Sequence, residues 1–172
     1  HKGHEVRVLD NYSTGKQENI EALPVEMLEG DVRDYFLVQH AVQDVDYVFH
    51  LAALASVGRS IRDPLTTHSV NETGTLTVLE GARKAGVKRV VYAASSSAYG
   101  NSPLLPKCET AKPAPASPYA VSKLTGEHYC QVYWETFDLP TACVRYFNVF
   151  GPRQDPQSEY AAVIPRFIDA AL

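Results

Sequence analysis

The chain has 172 residues, 45% of them hydrophobic and 21% charged, with a formal net charge of −4. That length holds about one domain with a real core, and the composition is that of a soluble globular protein. The negative balance argues against nucleic acid or an anionic membrane as partner and favours a small molecule.

Three scattered cysteines, Cys108, Cys130 and Cys143, with no CxxC, suggest neither a zinc site nor a disulfide framework. They fit a reducing, cytoplasmic setting, and no metal site is expected. Neither a signal peptide nor a long apolar run occurs.

Taken in chain order, "VRVL" reads as a strand that ends on Asp10, and "VEMLEGD" as a second, weaker one. "YFLVQHAV" has helical spacing. "VDYVFHLAA" is a compact buried strand. "NETGTLTVLEGARKAG" reads as a helix closed by Gly86 as C-cap. "VKRVVYAASSS" is another buried strand with a serine-rich end. The Pro-rich "NSPLLPKCETAKPAPA" is a loop. "ASPYAVSKLTGEHYCQVYWETF" is a long helix, with Ser117 placed to cap it and Pro118 in its first turn. "TACVRYFNVFG" is again a strand, and "AAVIPRFIDAAL" begins a helix.

Strands that read as near-continuous apolar runs, alternating with helices, predict an α/β fold with a parallel sheet covered on both faces. The right-handed crossover rule makes that sheet doubly wound and Rossmann-like. Ligands then sit at the carboxyl ends of the strands. Those ends carry Asp10, Gly30-Asp31, His50 to Ala53, Ser95 to Ser97, and Tyr146 to Asn148.

"YAVSK" is the sharpest motif. Tyr119 and Lys123 are four apart in the first turns of a helix and share one face. A phenol with pKa about 10 is a poor base near neutrality. A neighbouring ammonium favours the phenolate, which makes the pair a candidate general acid and base. A hydroxyl of the Ser95-Ser96-Ser97 cluster could bind and relay the substrate proton. A bare YxxxK is weak alone and describes many solvated helix faces. Its place after an acid-ended, a small-residue and a serine-ended strand gives it weight.

In "HEVRVLDNYSTGKQENI", "EGDVRD", "VFHLAALASV", "VNETGTLTVLEGARKAGVKRVVYAASSSAYGN", "SPYAVSKLTGE" and "RYFNVFGPRQDPQSEYAAVIPRF", the chain resembles the extended short-chain dehydrogenase/reductases. Within them it is similar to nucleotide-sugar 4-epimerases of the UDP-glucose and UDP-N-acetylglucosamine type. The resemblance implies NAD as cofactor, with Asp10 on the adenosine ribose hydroxyls and Asn11, Ser13, Thr14 and Gly15 lining the same turn. It implies that Asp31 and Val32 flank the adenine, and that Leu51, Ala52 and Ala53 let the cofactor backbone approach. Asn71 would lie behind the site, with Ala93 and Tyr146 at the nicotinamide half. Tyr119 and Lys123 would be the catalytic pair. Counted back from Gly100, Ser95 would be the hydroxyl partner, with Ser96 its neighbour.

On the substrate side, the resemblance implies Ser56, Ser97 and Asn148 at the sugar and diphosphate, and Ala162, Val163, Arg166 and Phe167 at the nucleotide. Read without it, Val163 and Phe167 are simply the core face of a helix. Relatives that dehydrate or decarboxylate sugars carry an acid where Ser97 stands, so its absence favours epimerisation. UDP-uronic acid 4-epimerases, other NAD-dependent dehydratases or decarboxylases, and a non-catalytic NAD sensor are the alternatives. Ala55 and Gly58 depart from the Gly and Pro common in N-acetyl-accepting relatives.

No GxGxxG or GxxGxxG occurs in the chain. A first strand with no element before it and a last helix that stops while growing add the expectation of a fragment truncated at both ends. Residues 1–150 would be an NAD-binding domain without its first strand and helix, and 151–172 the start of the substrate-binding region. A homodimer is expected of the full-length protein, and no activity of the fragment alone.

Overall fold

A computed structural model describes residues 3–154 and 163–171, with 163, 165 and 169 described by backbone only. The strands are β1 (Arg7–Asp10), β2 (Glu26–Glu29), β3 (Tyr47–His50), β4 (Arg89–Ser95) and β5 (Thr141–Tyr146). The helices are α1 (Tyr35–Ala41), α2 (Val57–Arg62), α3 (Pro64–His68), α4 (Gly74–Ala85), α5 (Pro118–Phe137) and α6 (Val163–Ala171). A π-helical turn, Ser69–Thr73, leads into α4, and a 3-10 turn, Ser96–Tyr99, follows β4.

Every strand pairing is parallel, as the apolar runs predict. The five strands form two sheets, β1-β2 and β3-β4-β5, and among the described residues β1 and β3 are not paired with each other. The Rossmann-like fold has one more strand at that junction. Among the described residues no strand stands there, and the expected continuous sheet is divided in two.

Burial alternates along β4. Val90, Tyr92 and Ala94 are buried, and Arg89, Val91, Ala93 and Ser95 are less so. The buried side faces the helices. Leu79 and Ala82 of α4 and Cys130 and Tyr133 of α5 share one core with Val38 of α1 and Val90 and Tyr92 of β4. The other face is only partly covered among the described residues, with Phe49 67% exposed and Tyr47 58%. An apolar run thus predicted more complete cover than these residues provide.

Local chemistry sets the helix ends. Ser117 accepts from Ala120 N and Pro118 occupies the first turn of α5, as read from sequence. Gly86 closes α4 with φ +70°, a conformation that favours glycine. The sequence reading missed α2 and α3. Each spans six residues or fewer and is held by a cap: Ser56 accepts from Arg59 N, and Asp63 from Thr66 N. Too few residues are present for an apolar period to show.

Candidate active site

Parallel strands bring their carboxyl ends to one edge, and the predicted residues gather there in two groups. In the first, β1 ends on Asp10, whose Oδ1 accepts from Tyr12 N at 2.8 Å. Gly30 N, just past β2, donates to Asp10 O and locks the two strand ends together. Asn11 Nδ2 donates to Asp31 Oδ2 at 3.0 Å, and Asn11 Oδ1 accepts from Ser13 N. Arg33 grips Asp31 with two side-chain bonds of 2.8 and 2.7 Å. Those bonds hold the Asp31 carboxyl at about 2. Asp10, Asn11, Ser13 and Asp31 therefore form one polar rim, with Thr14 and Gly15 exposed in the same turn. Val32 differs: its side chain is buried in the core beside Gly74, so only its backbone is at the rim.

The second group lies at β3, β4 and β5. Leu51 is exposed and Ala52 and Ala53 are half-buried after β3. Ser95 ends β4 opposite Tyr146 of β5. Its Oγ accepts from Ser97 N and Ser97 Oγ, which leaves the Ser95 proton available. Ser96 and Ser97 are half-buried in the turn that follows.

Lys123 is only 4% exposed. Its Nζ donates to Ala93 O at 2.8 Å, which ties the ammonium to β4. Burial lowers the Lys123 pKa to about 8. Tyr119 is half-buried one helical turn earlier, on the same face of α5.

Asn71 is buried between the two layers. Its Oδ1 accepts from Leu54 N, and its Nδ2 donates to Leu54 O and to Ser122 Oγ. It ties the loop after β3 to α5. Ser56 is buried as the cap of α2, and Asn148 is exposed after β5. On α6, Arg166 and Phe167 are exposed, Phe167 by 69%. Ala162 and the side chain of Val163 lie outside the described residues.

Sequence reasoning missed the layer beneath Lys123. The Tyr92 ring lies 4.9 Å from Lys123 Nζ, and His50 packs 5.6 Å from Tyr92. His50 Nε2 meets Thr75 Oγ1 at 2.9 Å, and Thr75 Oγ1 donates to Asn71 O. With that proton spent, the His50 Nε2 is the donor and the ring is neutral. Burial, then the Lys123 charge, hold its pKa near 3. A histidine and a tyrosine inside otherwise apolar strands were the available signal.

An NAD molecule fits these residues: a carboxylate and an amide at the first two strand ends, small residues after β3, and a cation beside a phenol. Among the described residues, no group of His, Cys, Asp and Glu could hold a metal ion, and no helix is long and apolar enough to cross a membrane.

An acid-ended strand, a small-residue strand end and a Tyr-x-x-x-Lys helix on parallel sheets define a Rossmann-like dinucleotide-binding protein. Residues 1–172 match the model of the NAD dependent epimerase/dehydratase family; the chain belongs to that family, whose cofactor is NAD. A UDP-glucose 4-epimerase of Mycolicibacterium smegmatis is 40% identical over 176 residues, covering 99% of this chain and 56% of that protein. A UDP-N-acetylglucosamine 4-epimerase from Methanobrevibacter ruminantium, solved with UDP-N-acetylmuramic acid, superposes with TM-score 0.92 at 40% identity, over 97% of this chain and 55% of that one. A Thermus thermophilus UDP-glucose 4-epimerase solved with NAD gives TM-score 0.86 at 42% identity, over 92% and 52%. The chain spans about half the length of the curated relatives it matches.

Proposed function

We propose that the protein carrying this chain is an NAD-dependent 4-epimerase of a UDP-hexose, either UDP-glucose and UDP-galactose or the N-acetylated pair. The observation that carries this reading is the buried Lys123 ammonium on the same face of α5 as Tyr119, with Ser95 ending the adjacent strand. The serines at 96 and 97, where a sugar dehydratase or decarboxylase needs an acid, favour epimerisation over those alternatives. Retention of Ser95, Tyr119 and Lys123 together argues against a non-catalytic sensor.

Asp10 would take the adenosine ribose hydroxyls, with Asn11, Ser13, Thr14 and Gly15 around it. A carboxylate there repels a 2′-phosphate and so favours NAD over NADP. Asp31 and the Val32 backbone would flank the adenine, and Leu51, Ala52 and Ala53 the diphosphate. NAD, when bound, would supply the hydride chemistry at the sugar 4-carbon. Tyr119 takes the proton from the sugar 4-hydroxyl, and Ser95 hydrogen-bonds that oxygen. Lys123 stabilises the phenolate by its charge. A 4-keto sugar results. After it turns over in the pocket, Tyr119 returns the proton.

Ser56, Ser97 and Asn148 would face the sugar and diphosphate, and the segment from Ala162 to Phe167 the nucleotide. Residues 1–150 would then be the cofactor domain and 151–172 the start of the substrate region, in a cytoplasmic homodimer. The test is Tyr119→Phe in the protein as it occurs. Turnover of UDP-sugars should fall by at least about 100-fold while NAD binding is kept; a near-normal rate overturns the reading. Formation of a dehydrated or decarboxylated sugar by the parent would favour the alternatives.

A further inference from the structure

Lys123 is buried, and among the described residues its charge meets no carboxylate partner. Its ammonium has one hydrogen bond, to Ala93 O. The other group placed to hold it is a ring face: the Tyr92 centroid lies 4.9 Å from Nζ, inside the range where an aromatic quadrupole attracts a cation. The Tyr92 hydroxyl reaches Lys123 O only at 3.4 Å, a long contact that contributes little. We propose that Tyr92 is a positioning residue for the reaction, its ring face holding the Lys123 ammonium in place beside Tyr119. This rests on the reading of Lys123 as the charge that assists Tyr119.

Three features make the placement specific. Tyr92 is 1% exposed, so nothing in solvent competes for the ring. His50, its neighbour in strand register, packs against the ring at 5.6 Å and is itself fixed by Thr75. Finally, α5 has glycine at 126, one turn past Lys123. A Cβ at that position would stand 2.3 Å from the Tyr92 hydroxyl oxygen and 2.4 Å from Cζ. The helix thus admits the ring by giving up a side chain, at a position where glycine is costly.

The titratable groups facing Lys123 are few. His50 comes from β3, Tyr92 from β4 and Tyr119 from its own helix, and His50 is neutral. Glu127, one turn on, is engaged in a bidentate pair with Arg145 of β5. From the turn before α4, the group reaching this part of α5 is the uncharged Asn71. The charged form of Lys123 therefore depends on Ala93 O and on the ring.

The test is a titration of Lys123 in the protein with 13Cε-labelled lysine, free of cofactor and assigned by Lys123→Gln. Tyr92→Phe keeps the ring and should leave the midpoint within about 0.3 pH unit of the parent. Replacing residue 92 by a trifluorinated phenylalanine, of nearly the same shape but with a depleted ring face, should lower it by about 0.5 unit or more. Tyr92→Met should lower it further; the fluorinated variant preserves the test if Tyr92→Met does not fold. Equal midpoints throughout overturn the proposal, as does a Tyr92→Phe midpoint as low as the fluorinated one. The outcome is separate from the catalytic reading. If Lys123→Gln left turnover intact, that reading would fail while the dependence on the ring could still stand.

Discussion

Asn71 holds Leu54 from both sides, its Oδ1 accepting from Leu54 N at 2.8 Å and its Nδ2 donating to Leu54 O at 3.3 Å. The same amide reaches Ser122 on α5 at 3.0 Å. Asn71→Leu removes all three bonds and leaves a buried N–H unpaired. A loss of about 3 kcal/mol is expected. Urea unfolding of parent and variant measures it; a loss under about 0.5 kcal/mol would remove Asn71 from the structural account.

Gly126→Ala should destabilise despite improving helix propensity. Propensity favours alanine by about 1 kcal/mol. The new methyl would meet the Tyr92 hydroxyl at 2.3 Å, and overpacking costs about 1–3 kcal/mol. The two together leave a net loss of up to about 2 kcal/mol. A thermal midpoint at or above the parent's would show that Tyr92 moves aside freely.

His50 makes stability depend on pH. Its folded pKa, near 3, lies below the ordinary value of about 6.5. The unfolded chain therefore binds the proton first, and the contribution is fully present above about 6.5. It is lost as pH falls towards 3, by up to about 1.4 kcal/mol per unit. His50→Gln should flatten that dependence between pH 6.5 and 5 in urea unfolding. Parallel curves for parent and variant would refute it.

Arg33 depresses the Asp31 carboxyl to about 2, mainly through its side-chain hydrogen bonds. A depressed carboxylate stabilises the fold above its unfolded value, about 3.9, and the gain is lost as pH drops through 2. Arg33→Gln should raise the Asp31 midpoint by carboxyl 13C titration. The Arg33 side chain is 42% exposed, so the stability lost should stay under about 1 kcal/mol. An unchanged midpoint would assign the depression to Asn11.

Much of the fold was legible because its elements are long or apolar enough to carry a period. β1, β3, β4 and β5, with α4 and α5, stand close to where the runs place them, and the caps at Ser117 and Gly86 follow from residue type. The π-helical turn at Ser69–Thr73 was not; it holds Asn71, whose partner Leu54 lies 17 residues away in the chain. At the site, four-residue spacing pointed to Tyr119 and Lys123 and a strand end to the Ser95-Ser96-Ser97 cluster, within which the family resemblance singled out Ser95. The support under Lys123 stayed hidden, because Tyr92 looks like a member of an apolar run and His50 like a strand-end residue until strand register sets them side by side. Gly126 was a readable hint: a glycine inside a long helix marks a close approach.

The division of the sheet has a consequence for solvent access to the backbone. In a parallel ladder each strand offers alternate amides to its two sides. β4 has a neighbour on both, β3 and β5, and its amides should exchange with deuterium slowly. β1 and β3 each have one neighbour among the described residues, so every second amide there faces no ladder partner. Exchange along those two strands should alternate fast and slow residue by residue, a pattern of period two written in time rather than in side chains.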